Sequence, residues 1–174
     1  GGFPQALFDV QYPAPGNPVL AMETASLIHS AHVALDHDWG LDHGTWTVVK
    51  HMYPDAKIPV LQLSIDFTKS PQYHYDLAKE LYGLRKKGVL IIGSGNMVHN
   101  LRMVSWEKIN TPGYGYDWAL KMNDSFKHLI AEGDYKPLIN YESLGAEAKL
   151  AIPTPEHYLP LLYSLGLKGS KDNV

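Results

Sequence analysis

Cysteine is absent from the 174 residues. That excludes a disulfide framework and any thiolate metal site, so a bound metal would have to be held by histidine and carboxylate. Long apolar runs are also missing: nothing approaches the roughly 18 residues a helix needs to cross a bilayer, and no basic patch leads into a short apolar stretch as in a signal peptide. A cytoplasmic location without a membrane partner is therefore expected. Nor is there a large excess of either charge, with 15 Lys and Arg against 18 Asp and Glu and a formal net charge of -3. This balance gives no sign of a nucleic-acid partner. The short "GSGN" at 93–96 lacks the Lys and Ser/Thr of a phosphate loop and does not fit the dinucleotide pattern. There is no serine nucleophile elbow.

What is present is an ordinary globular composition, 45% hydrophobic and 19% charged. The length suits one domain, 1–174, with a substantial core. "GGFPQALFDV" opens with neither an initiator Met nor a polar leader, so the chain is expected to begin inside a longer protein.

Asn17 can cap a helix with Pro18 at its first position, because proline has no N–H to leave unsatisfied there. Leu20, Leu27 and Ile28 give that helix an apolar stripe, fading near Ser30, and 33–35 suits a short strand. "IPVLQLSID" (58–66) reads as a strand with its proline near the start. Ser70 and Pro71 then open a helix with Leu77, Leu81 and Leu84 on one face and "RKKG" at its end, where the helix dipole favours cations. "VLIIGSG" (89–95) reads as a strand buried on both faces. Strand, helix, strand is a βαβ unit, which predicts an α/β fold with a mostly parallel central sheet flanked by helices. Trp118, Met122, Phe126 and Leu129 fit a helix closing at Gly133, and 155–166 fits a last one.

Nine histidines supply the chemistry worth weighing. His99 follows the glycine-rich exit of 89–95, the carboxyl edge where open α/β sheets bind ligands. It could equally be packed there and bonded to a backbone carbonyl. Asn100 and Arg102 beside it could orient the ring or bind an anionic group. His157 follows Thr154 and Pro155, a helix start that would hold it in the first turn, where the dipole favours the neutral imidazole a metal needs. The plain alternative is a capping-region histidine of no consequence. His43 lies in "DHDWGLDHGTW" (36–46), either a surface turn rich in Asp and Gly or the wall of an aromatic substrate pocket. His29, His32, His51, His74 and His128 read as solvated or packed.

The ordered stretches "GGFPQALFDVQYPAPG", "DWGLDHGTW", "MYPDAKIPVLQLSID", "GSGNMVHNLR" and "PTPEHYLPLLYSLG" resemble the class III extradiol catechol dioxygenases, the LigB-type family, and within it the 4,5-DOPA dioxygenase branch. The resemblance implies an enzyme that opens the ring of catechols such as L-DOPA beside the two hydroxyls, with O₂ and a non-haem divalent metal. Fe(II) is implied for activity, and Zn(II) can occupy such a site. It implies that His157 is a metal ligand, that His99 is either a ligand or the acid/base group, and that His43 faces the substrate. Family members also carry upstream "HGSP" and "SAHW" stretches with two further metal-binding histidines, and closing strands at the far end. Neither stretch occurs in this sequence, so 1–174 is expected to be a catalytic-type domain short of its N-terminal metal-ligand segment and C-terminal strands. The alternative reading is a non-catalytic LigB-like binding or scaffold module that has lost the complete metal site.

Overall fold

The computed structural model describes residues 4–173, so the first three residues of the "GGFP" motif and Val174 lie outside it. Helices dominate: α1 (Gln5–Phe8), α2 (Pro18–Leu27), α3 (His43–Met52), α4 (Pro71–Glu80), α5 (Tyr82–Arg85), α6 (Asp117–Glu132), α7 (Tyr135–Ile139), α8 (Ala146–Ala151) and α9 (Leu159–Gly166). Their starts follow from local chemistry. The Asn17 side chain accepts from the Leu20 N–H at 3.0 Å with Pro18 at the first helical position, and Ser70 does the same for the Tyr73 N–H at 3.3 Å. These are orphan donors that a helix cannot satisfy itself. The helix expected to close at Gly133 does so, with Gly133 at φ 72°.

The expected parallel sheet is not there: among the described residues none forms a strand. Runs 58–66 and 89–95 have the composition of strands, but a strand exists only where a neighbouring backbone takes its hydrogen bonds. Here the bonds go elsewhere. The Val60 N–H donates to the Pro15 carbonyl at 2.9 Å, the Asn96 N–H to the His157 carbonyl at 2.7 Å, and no backbone bond among the described residues joins the two runs. Their apolar side chains stay partly in solvent: Ile58, Leu61, Leu63, Leu90 and Ile92 are all exposed, Leu90 by 61%. The short strand expected at 33–35 is likewise absent.

Helix α9 organises the interior. Leu159, Leu162 and Leu165 face a core built with Met122, Phe126, Leu138 and Tyr158. Tyr163, on another side of α9, joins a second core with Ile28, Leu77, Ala78, Leu81 and Leu84. Helix α4 packs along α9 more extensively than any other pair of elements. No helix among the described residues is long and apolar enough to cross a membrane.

Candidate functional site

His99 and His157, far apart in sequence, stack ring on ring with centroids 3.7 Å apart and planes inclined by 23°. Backbone clasps hold the pair from both sides. The His99 N–H donates to the Ala151 carbonyl at 2.8 Å, and the Asn96 N–H to the His157 carbonyl at 2.7 Å. Asn100 does not orient a ring: its Nδ2 donates to the Leu150 carbonyl at 2.8 Å while its Oδ1 accepts from the Arg102 N–H at 3.1 Å. It thus pins the segment after His99 to the end of α8.

Glycines 93 and 95 permit this approach. A Cβ on Gly95 would coincide with the His157 carbonyl, and one on Gly93 with the Pro160 carbonyl and, at 2.7 Å, the Ser164 hydroxyl. Only a residue without Cβ lets the chain run this close to another backbone. A small cleft of about 110 Å³ opens here, lined by Gly93, Gly95, Asn96, His157 and Ser164 among others.

His157 itself sits in the turn before α9, not in its first helical turn. Thr154 is not the helix cap; its hydroxyl donates to Glu156 Oε1 at 2.7 Å. The backbone instead turns through bonds from the Tyr158 and Leu159 N–H groups to the Pro155 carbonyl, 2.8 and 2.9 Å. Pro160 lies early in α9, where its missing N–H costs nothing.

His43 is exposed and is the first residue of α3. The stretch 36–46 is therefore part turn and part helix. Asp42 caps α3, accepting from the Thr45 N–H at 2.8 Å. Gln62 braces the same cap: its Oε1 accepts from the Asp42 N–H at 3.0 Å and the Thr45 hydroxyl at 2.9 Å. The Ser94 hydroxyl donates to the Gly44 carbonyl at 2.6 Å, tying the start of α3 to the glycine turn that touches His157. His99 and His157 are thus brought together, and the helix start bearing His43 is fastened to the same turn.

Electrostatics favour an uncharged His99. Burial, then the charge of His157, pushes the His99 pKa below its ordinary value, against a smaller opposing pull from Glu156. Glu156 stays ionised below the usual carboxylate range: burial opposes this, but the Thr154 hydroxyl, a backbone N–H and the two imidazoles outweigh it.

As a metal centre the arrangement is partial. With the rings stacked face to face, their in-plane lone pairs lie in nearly parallel planes rather than meeting at the angle that tetrahedral or octahedral ligation of one ion requires. Among the described residues no group of three or more His, Cys, Asp or Glu is placed to hold a metal ion. These residues alone do not fit a complete non-haem site.

Ser94, Gln62 and the fully buried His74 escape a reading of the sequence as site or frame residues. The first two carry no pattern, since each acts through a tertiary hydrogen bond. His74 does carry one: it falls on the face of α4 that also holds Leu77 and Ala78, continued by Leu81 just past the helix end, all buried, at the spacing of a helix stripe.

Comparison with known proteins matches the chain to a family. The 4,5-DOPA dioxygenase extradiol of Escherichia coli (strain K12) is 48% identical over 171 residues, covering 95% of this chain and 61% of that protein. The 4,5-DOPA dioxygenase extradiol of Beta vulgaris is 36% identical, covering 99% and 64% respectively. The crystal structure of an uncharacterized protein from Escherichia coli K12 superposes with a TM-score of 0.82 at 42% identity, covering 95% of this chain and 68% of that one. The chain thus spans about three-fifths of the length of these curated relatives. Residues 2–174 match the family described as the catalytic LigB subunit of aromatic ring-opening dioxygenase, and the chain belongs to that family.

Proposed function

We propose that this chain is part of an extradiol ring-opening dioxygenase acting on catechols of the L-DOPA kind with O₂. The observation that carries the reading is the stack of His99 on His157, beside the turn that Ser94 fastens to the start of α3. In this reading residues 1–174 form one catalytic-type unit. His157 is a ligand of a non-haem divalent metal, Fe(II) in the active protein and Zn(II) as an alternative occupant. His99 is a ligand or the acid/base group, and His43 contacts the substrate. The two imidazoles provide only part of a ligand set, so the chain's own contribution to the chemistry is to move protons and to orient the substrate. A neutral His99 can take a proton from a catechol hydroxyl and return it to the opened product. Its backbone is fixed by the bond to Ala151 and its ring is stacked on His157, which restricts where that imidazole can reach.

A second reading, a non-catalytic binding or scaffold module, is favoured by one observation: no three-ligand cluster exists among the described residues. A chimera separates the two. The matched stretch of the Escherichia coli relative is replaced by this chain, loaded anaerobically with Fe(II), and given L-DOPA in air-saturated buffer. Oxygen uptake with a yellow ring-opened product, abolished together with metal binding in His157→Ala and slowed with the metal still bound in His43→Ala, is the expected result. A folded, iron-loaded chimera that consumes no oxygen would sink the enzyme reading and leave the module.

A further inference from the structure

His74 lies on α4 with no exposed surface, inside a core that is otherwise apolar. Its ring uses both nitrogens. Nε2 is 3.1 Å from the Asp66 carbonyl, and Nδ1 is 3.1 Å from the Tyr163 hydroxyl on α9. The first contact fixes the tautomer, because a carbonyl oxygen can only accept. Nε2 therefore carries the proton and donates to Asp66, which leaves Nδ1 to accept from Tyr163. The Tyr73 ring closes over the imidazole edge-on at 5.3 Å. One side chain thus joins the end of run 58–66, helix α4 and helix α9.

Close packing limits how far α9 can turn, but hydrophobic burial is itself non-directional. A hydrogen bond to a ring nitrogen is directional, and the Tyr163 hydroxyl gives its hydrogen bond to this ring. Rotation matters at this helix. Pro160 and Ser164 abut Gly93, and the His157 carbonyl just before α9 abuts Gly95 while also receiving the Asn96 N–H. A turn of α9 about its axis would carry the His157 segment away from His99.

We propose that His74 is a positioning residue for the His99–His157 pair: bonding Tyr163, it sets the rotation of α9 and so the register in which His157 meets His99. The functional weight of that pair rests on the dioxygenase reading, but the geometry can be tested without turnover. Ring resonances of all histidines are recorded by long-range ¹H–¹⁵N correlation in the metal-free chain, for wild type, Tyr163→Phe and His74→Gln. Thermal unfolding of each variant fixes a temperature at which it is folded.

Tyr163→Phe keeps the ring volume and deletes only the hydroxyl. It is expected to shift the ring resonances of both His99 and His157 while those of exposed His128 on α6 stay in place. His74→Gln, which retains a donor for Asp66 and an acceptor for Tyr163, should keep the pair closer to the wild-type positions than Tyr163→Phe does. Resonances of the pair unchanged in folded Tyr163→Phe would overturn the proposal. So would a wild-type His74 ring protonated at Nδ1, a measurement that needs no variant. Because the spectra are read without substrate, a chain that opens no catechol would change neither result, which keeps this test separate from that of the enzyme reading.

Discussion

At the scale of single residues, the candidate site depends on what is missing from side chains as much as on what they carry. Gly95 is the clearest case, because any Cβ there must displace the His157 carbonyl. Gly95→Ala should lower stability by about 1–3 kcal/mol, the usual cost of overpacking, seen as a lower denaturation midpoint. It should also remove the close stacking of His99 on His157, seen in the histidine ring spectra; an unchanged midpoint would mean that the turn yields freely. His74 leads to a prediction about pH. Burial depresses its pKa below 6.5, against a weaker upward pull from Asp66. The folded state therefore binds fewer protons than the unfolded state once the pH drops below that value. The sign is a stability present at neutral pH and lost as pH falls through the ordinary histidine range. His74→Gln should flatten that part of the profile in urea melts between about pH 7 and pH 5. A variant profile as steep as wild type would assign the acid sensitivity to another group.

At the scale of elements, α4 and α9 form the frame on which the site hangs, and their closeness is set by Gly166. A Cβ there would meet the Tyr75 carbonyl at 2.5 Å and the Ala78 Cβ at 2.8 Å, and Ala78 is itself fully buried. Two effects compete in Gly166→Ala. Alanine is favoured over glycine by about 1 kcal/mol in a helix interior and by less at Gly166, the last residue of α9, while here the helices would have to part against backbone. The clash should win, with a net loss of about 1–2 kcal/mol in a urea melt; a gain would show that α9 can slide outward cheaply. The start of α3 shows why some elements escape a reading by pattern. Asp42, His43 and Gly44 look like turn residues, yet Asp42 caps a helix that Gln62 braces from a distant run. The cap is legible in residue type, whereas the brace that selects helix over turn is tertiary.

At the scale of the whole molecule, the apolar flanks of 58–63 and 89–92 stand out. Leu90 at 61% exposed and its neighbours Ile58, Leu61, Leu63 and Ile92 border backbone without a ladder. Such surface favours association. The isolated chain should bind a hydrophobic dye and self-associate with rising concentration. Leu90→Lys with Ile92→Lys should reduce both, as read by sedimentation velocity, at little cost to the thermal midpoint because neither side chain is in a core. A monomeric wild-type chain that binds no dye would show these flanks to be covered in solution. The helices that build the two cores are legible in the sequence, α2, α4 and α6 from their caps and apolar stripes. The expected sheet fails for a physical reason: β-branched, aliphatic runs report only a preference for a pleated, half-buried surface, while the sheet itself requires a partner backbone in register.

Residue order alone accounts for the helical frame, the histidine and carboxylate chemistry imposed by having no cysteine, and the ordered motifs that carry the LigB resemblance. These are local or collinear properties, readable from caps, periodicity and residue order. Folding in three dimensions is what brings His99 face to face with His157, lets Ser94 fasten the start of α3 beside them, and holds His74 between Asp66 and Tyr163. Each of these joins residues distant along the chain, and hydrogen bonds and close backbone approaches of that kind leave no period or composition by which a sequence could announce them.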